Sequence, residues 1–368
     1  MSETHRSVLH ATQEHAGAEF ADYDGWLWTT TFGDALGEYE AVRSHAGMWD
    51  NYGLQKWEVR GSDAARAVQR TFAGDVASLA AGQVRYAPFV DPTGAMVDEG
   101  TVYKHGDDRY WVMTNSAEFD TFLGGHTAGL DYTIDYRTYD MPVVAVQGPA
   151  SREVVQRLTH ADLSSLRYFH FLPERVRVAG IPVWLLRTGF SGELGYELVP
   201  DPDDAPALWG ALGDVGVRPF GLDAVEMLRV EAGLVIVGVD YEPGTTSPYD
   251  LSMDRLVAVG SDSADFVGKD VLQSVAASPP SRFKSLLVQG SEVPEYGAPV
   301  YRGDEAVGTC TSPVLSPRYG VVGLAVLRTD QAVNGSVLEV GVGESGLRTK
   351  ATVTDLSVYD PEHRRPRS

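Results

Sequence analysis

The stretch Gln83-Val84-Arg85-Tyr86-Ala87-Pro88-Phe89-Val90-Asp91-Pro92-Thr93-Gly94-Ala95-Met96-Val97-Asp98-Glu99-Gly100-Thr101-Val102-Tyr103-Lys104 reads as two strands around one tight turn. Gln83 to Val90 and Met96 to Lys104 carry the β-branched and aromatic residues. Asp91-Pro92-Thr93-Gly94 supplies a fixed proline φ and a glycine that tolerates positive φ. Upstream, Glu38 to His45 reads as helix, Gly47-Met48-Trp49-Asp50 as the break that ends it, and Lys56 to Arg60 as a half-buried alternating strand. Ser62-Asp63 caps a helix beginning at Ala64. Residues up to about Phe32 read as a mobile tail and an entry segment. Downstream, Tyr110 to Asn115 is a strand and Glu118 to Gly124 opens a helix. A second cycle follows: strand Pro142 to Gln147, helix Ala150 to Leu158 after Gly148-Pro149, strand Ile181 to Thr188, then helices Ala205 to Gly213 and Gly221 to Ala232. Strands and helices mix without regular βαβ alternation, so the fold class is α+β. From Phe283 six short Val- and Leu-rich runs recur about every ten residues, the pattern of a small antiparallel barrel or sandwich. Residues 239 to 281 connect the two parts.

The chain has 368 residues, with 43% hydrophobic and 22% charged, enough for two or three domains with a large core. Its 30 basic and 51 acidic residues give a net charge of -21, which repels a phosphate backbone and argues against nucleic acid. The basic run Arg364-Arg365-Pro366-Arg367 reads as a solvated end. No run approaches the roughly 20 apolar residues that span a bilayer, so no membrane partner is expected. The single cysteine, Cys310, excludes an internal disulfide. With a polar N-terminus, this points to a cytoplasmic location. The nine histidines do not cluster with Cys or carboxylates at ligand spacing, and no metal is expected.

Three constellations carry chemical potential. Asp98-Glu99 follows the hairpin turn. Neighbours on a strand face opposite sides, so one of the two acids can enter a pocket and the spacing does not say which. Their ordinary reading is a solvated strand. Thr188-Gly189-Phe190-Ser191-Gly192-Glu193-Leu194-Gly195-Tyr196-Glu197 has three glycines that permit tight turns or close approach. Glu197 then offers a carboxylate able to accept two parallel hydrogen bonds from a flat amidine-like edge. Its ordinary reading is a surface hairpin. Arg229 stands in an apolar helix, Ala224 to Ala232. Facing inward it needs an anion or a carbonyl; facing outward it pairs with Glu226. Both readings stand on sequence alone. No nucleophile-elbow or dinucleotide pattern is present.

Taken together, these segments resemble the glycine-cleavage T-protein family of folate-dependent aminomethyltransferases and their demethylase relatives, from about Trp26 to Val353. The matching pieces include Gly47 to Asp50, Val59 to Ala64, Gly94 to Glu99, Val146 to Pro149, Gly189 to Glu197, Leu228 to Gly233, Phe266 to Lys269 and Val307 to Ser312. The resemblance implies three subdomains around a central folate channel: residues 1–46 with 138–245, an inserted 47–137, and 246–368 ending in a β-barrel. It implies tetrahydrofolate as cofactor. Glu197 and Arg229 would bind it, with Tyr86, Asn115 and Phe190 lining the site or its mouth and Leu54 as an apolar wall. Glu99, with Asp98 beside it, would take the catalytic role.

Departures from the family pattern fall where a substrate would meet the folate. Glu99 stands where the aminomethyltransferases usually carry Asp. Phe190 replaces a Tyr, Tyr52-Gly53 replaces Ser-His, and Arg255 lies where a Trp is common. The resulting expectation is a tetrahydrofolate-dependent one-carbon transferase that demethylates a small N-, O- or S-methylated compound, with Tyr52 and Arg255 toward the substrate. The alternative is glycine-cleavage aminomethyl transfer from a lipoyl carrier. That partner is acidic in the family, so the net charge disfavours it here. A third reading is a non-catalytic folate-binding regulatory protein. Against it, Arg187 to Phe190 lacks the cysteine those relatives carry.

Overall fold

The computed structural model describes residues 4–23, 25–343 and 346–368. Two antiparallel-dominated sheets and a closed barrel form the molecule. The hairpin predicted around Asp91 forms: Val84–Val90 pairs with Met96–Gly106 in antiparallel register, Glu99 opposite Pro88. It lies in a five-stranded sheet ordered Val84–Val90, Met96–Gly106, Arg109–Thr114, Gln55–Arg60, Thr133–Tyr136. Alternation gives this sheet two different faces. Trp57, Val59, Ala87, Phe89, Val102, Tyr110 and Val112 pack with Ala64, Ala67 and Val68 of helix Ala64–Thr71 and with Phe119 and Leu123 of helix Phe119–His126. The other face carries Lys56, Glu58, Glu99, Tyr103, Trp111 and Met113, all buried. A core of Tyr103, Trp111 and Met113 with Leu186, Phe171 and Val199 joins this face to the second sheet.

That second sheet has six strands, ordered Val176–Val178, Ile181–Leu186, Gly195–Val199, Val144–Gln147, Gly47–Asp50, Arg218–Pro219. Its outer residues Val144, Val146, Val183, Tyr196 and Leu198 pack with Val154, Val155, Leu208 and Leu212 of helices Ser151–Leu158 and Ala205–Asp214. Glu197 alternates to the inner side.

Two expectations change. Gly47 to Asp50, expected as a break, is a strand: all four residues are buried and pair with Val144–Gln147. Gly47 mimics a break, but no charge precedes Asp50 and the segment pairs throughout with a remote strand. The residues up to Phe32, expected as a mobile tail, include helix His10–His15 and a hairpin, Glu19–Tyr23 with Trp26–Thr31. Gln13 is buried there and bridges Thr29 to Asp50, a long-range polar anchor that periodicity does not reveal.

The C-terminal runs close into a barrel ordered Ser281–Val288, Gly320–Arg328, Glu305–Ser316, Ala298–Arg302, Val337–Val342, Leu347–Thr354. Closure leaves no unpaired strand edge. Its core contains Leu286, Val300, Cys310, Leu327, Val340 and Val353. Cys310 is fully buried, and burial pushes its thiol up to about 12, so it packs rather than reacts. Helix Lys269–Val275 and strand Thr133–Tyr136 were not anticipated from sequence.

Candidate functional site

The first half of the site grows from the Asp98-Glu99 pair, and the structure divides their roles. The Asp98 carboxylate accepts hydrogen bonds from the backbone N–H of Glu99, Asn115 and Ser116 at 2.8, 2.9 and 2.7 Å, and from the Asn115 amide at 2.8 Å. Those donors occupy it, and it pins the loop after strand Arg109–Thr114. Glu99 points to the other side. Its carboxyl accepts from the Asn115 amide at 3.2 Å and from the Tyr241 hydroxyl. Burial, then the neighbouring Asp98, drives the Glu99 carboxyl well above the usual carboxylate range, and the bonds from Tyr241 and Asn115 do not reverse this. Tyr86, half-buried on the adjacent strand, is pushed up by burial and by the nearby Glu99 and Asp98.

The second half centres on Glu197. Its carboxylate is buried and accepts from the Thr188 hydroxyl and, at 3.4 Å, from the Asn51 amide. A carboxylate can accept about four hydrogen bonds, so capacity remains for a ligand's N–H edge. Lys56, fully buried, donates to the carbonyls of Tyr52 and Leu54 at 2.9 and 2.8 Å and to Asn51 at 3.5 Å. Burial lowers its ammonium, opposed by Asp50 and Glu197 nearby. The glycine-rich loop is shaped by Gln147: a Cβ at Gly189 or Gly195 would fall 2.0 or 2.3 Å from that side chain. The close approach foreseen for these glycines is to Gln147, and only Gly192, at φ +76, serves a left-handed turn.

One strand links the halves. Glu99, Thr101 and Tyr103 share a face of Met96–Gly106, and Thr101 donates to the Tyr103 hydroxyl at 3.3 Å. Tyr103 packs in one core with Leu186, the strand partner of Glu197, and burial, with Glu197 adding to it, raises its phenol. Four strand steps separate Glu99 from Tyr103, roughly 13 Å. That is the scale of a bicyclic ring with a side arm.

Arg229 meets both sequence readings at once: it faces inward, fully buried, and it pairs with Glu226. Its N–H groups reach Glu226 at 2.9 and 2.7 Å, the Leu234 carbonyl at 3.2 Å, Asp240 at 3.0 Å and Ser312 at 3.0 Å. These account for all five donors of a guanidinium. Glu197 and Arg229 share no partner. The connection runs through consecutive residues, because Asp240 binds Arg229 while Tyr241 binds Glu99.

The remaining candidates scatter. Phe190 is half-buried beside Trp28, Trp49 and Phe220. Leu54 is half-buried and gives its carbonyl to Lys56. Tyr52 is buried, with its hydroxyl on the Leu27 carbonyl. The Gly53 beside it has a steric cause: a Cβ there would stand 1.9 Å from the Trp28 ring. Arg255 is exposed in the 3-10 turn Asp254–Leu256 and does not join the carboxylate clusters. Sequence reasoning missed Tyr241, Lys56, Asp50 and Gln13. Of these only Lys56, a lone lysine inside a strand pattern, carried a signal. No group of acids, histidines and cysteine among the described residues has the geometry to hold a metal ion. No described helix is long and apolar enough to cross a membrane.

Comparison with known proteins accords with this arrangement. The GCVT N-terminal domain family matches residues 9–261, and the glycine cleavage T-protein C-terminal barrel domain family matches 282–360. The chain is 33% identical over 365 residues to an aminomethyltransferase of Streptomyces avermitilis, covering 96% of this chain and 97% of that one. It is 31% identical over 358 residues to an aminomethyltransferase of Bacillus subtilis, covering 95% and 98%. A solved structure of the glycine cleavage system aminomethyltransferase T from Bartonella henselae superposes with a TM-score of 0.88 at 24% identity, covering 98% of this chain and 99% of that one, and shows the same fold. The chain belongs to the glycine cleavage T-protein family and is a one-carbon transferase of that family.

Proposed function

We propose that this member of the glycine cleavage T-protein family binds tetrahydrofolate between its two sheets and transfers an aminomethyl-derived carbon to it, taking that carbon from a lipoyl carrier. The relatives' shared name, aminomethyltransferase, favours this reading over demethylation and outweighs the argument from net charge. The observation that carries it is a pair of buried carboxyl groups on facing sheets, both raised by burial, with different hydrogen-bond partners. Glu197 retains acceptor capacity suited to the N–H edge of a pterin. Glu99 accepts from the Tyr241 phenol and is raised by burial and by Asp98, which suits it to proton transfer.

In this account Glu197 orients the ring, with Tyr86, Asn115, Phe190 and Leu54 around it. The sheets hold the reacting nitrogen and carbon in line and exclude water, which contributes several kcal/mol. The carbon would join folate N5 and N10 as its bonds to the carrier sulfur and to the amine break; the two protons those nitrogens lose would go to the sulfur, leaving a thiol, and to the amine, leaving as ammonia, with Glu99 and Tyr241 placed to relay a proton. The subdomains proposed for this channel are 1–46 with 138–245, 47–137, and 246–368.

A second reading, methyl transfer from a small N-, O- or S-methylated compound, draws on one specific feature: Glu99 with a phenol partner where aminomethyltransferases usually carry Asp. Incubation with tetrahydrofolate and either an aminomethylated lipoyl carrier or methylated small molecules separates the two. Ammonia and 5,10-methylene-tetrahydrofolate support the first. 5-Methyl-tetrahydrofolate without ammonia replaces it with the second. Neither product from any donor defeats both.

A further inference from the structure

Arg229 is saturated before any ligand arrives, and its partners differ in one respect. Asp240 and Ser312 are buried completely, and Asp240 is further fixed by Ile236 N–H, Thr311 and Ser312. Glu226, three residues back on the same helix, is the one side-chain partner that solvent reaches, at 29% exposure. It grips Arg229 in the two-pronged geometry that guanidinium groups make with carboxylates, at 2.9 and 2.7 Å. The Tyr296 hydroxyl donates at 3.4 Å to the same Glu226 oxygen that Arg229 holds at 2.7 Å. Tyr296 is itself 58% exposed and lines an open cleft of about 470 Å³ beside Glu295, Tyr301 and Arg348.

We propose that Glu226 is a resident carboxylate standing in the anion position on Arg229, and that a ligand carboxylate binds by exchanging with it as Tyr296 lets go. The inference rests on the folate reading for the ligand's identity but not for the exchange. Two carboxylates already face one guanidinium. A third, added without removal, would leave an uncompensated buried charge, which costs several kcal/mol. Substitution keeps the charge constant. Rotation of Glu226 about its own side chain returns it to water, whereas Asp240 has no such exit. A ligand without a carboxylate gains nothing from the exchange, so the arrangement selects for one.

The test is calorimetric titration of the full chain with p-aminobenzoyl-L-glutamate, with tetrahydrofolate, and with a tetrahydropterin lacking the glutamate. Proteins are wild type, Glu226→Gln and Tyr296→Phe, each checked by thermal melting. If Glu226 occupies Arg229 nine-tenths of the time, removing its charge tightens the carboxylate probe up to about tenfold. Tyr296→Phe, at an exposed position, moves affinity in the same direction by less. Tetrahydropterin affinity stays unchanged. In turnover the KM for tetrahydrofolate falls while kcat holds. Unchanged or weaker binding of the carboxylate probe by both variants overturns the exchange, as does equal tightening of the tetrahydropterin, which would indicate general loosening. If tetrahydrofolate binds none of the proteins while the probe tightens as stated, the folate reading fails and the exchange stands.

Discussion

At the residue scale, the proposed chemistry turns on Glu99. Its neighbours are Asp98, held by four donors, and Tyr241, which donates to it. Glu99→Gln keeps the size but removes the proton, and kcat should fall by about a hundredfold or more, the usual span of general acid–base catalysis. The pH profile gives the sign. Burial and Asp98 hold the Glu99 carboxyl above its ordinary value, so a general-acid role predicts wild-type turnover that falls as pH rises through that raised value, a limb the variant lacks. An unaltered kcat with an unaltered profile removes the assignment. The pair itself was legible in the sequence, but its division of labour was not, because alternation says that two neighbours diverge and not where each one lands. Tyr241 was invisible for a related reason: it is 142 residues from Glu99, in a connecting segment without periodicity.

At the element scale, the five-stranded sheet is amphipathic in a way that positions the site. Its apolar side seats two helices, and its other side carries charge that has to be paired. Glu58 shows how. Burial alone would raise it, but hydrogen bonds from Arg60, Arg109 and Trp111 bring it down to about 2. A depressed carboxyl contributes stability above its unfolded value near 4.5 and loses it as pH falls toward about 2. Arg60, Arg109 and Arg137 are between a third and a half exposed, so screening leaves about 1 kcal/mol. Denaturation by urea at pH 7 and at pH 3 should show wild type losing that margin relative to Glu58→Gln. Parallel pH dependence of the two proteins would contradict it. The hairpin, most helices and the barrel runs were readable because turn chemistry and period-two alternation are local. The Gly47–Asp50 strand was not, since its pairing partner Val144–Gln147 is remote and its glycine mimics a break.

At the scale of the whole molecule, buried arginines join the parts. Arg43, on helix Ala35–Ser44, donates to Glu231, Glu193 and the carbonyls of Ser191 and Leu228, while Ser316 of the barrel reaches the same Glu231. Arg43→Gln strands two buried carboxylates. The expected cost is about 3–5 kcal/mol, seen as a lower urea midpoint at unchanged slope. A change under 1 kcal/mol would show that these contacts do not join the parts. The family resemblance reached this scale because its motifs span the chain in order. It did not show that Arg229 is spoken for by Glu226, Asp240 and Ser312, which depends on side chains from three separate segments.

The proposed function needs the buried Glu197 carboxylate to hold the pterin edge, and titration of tetrahydrofolate onto wild type and Glu197→Gln measures that hold. Charged hydrogen bonds of this kind are worth about 1.5–3 kcal/mol each, so the variant should bind about tenfold or more weakly while melting within a few degrees of wild type. Equal affinity in the two proteins would contradict it.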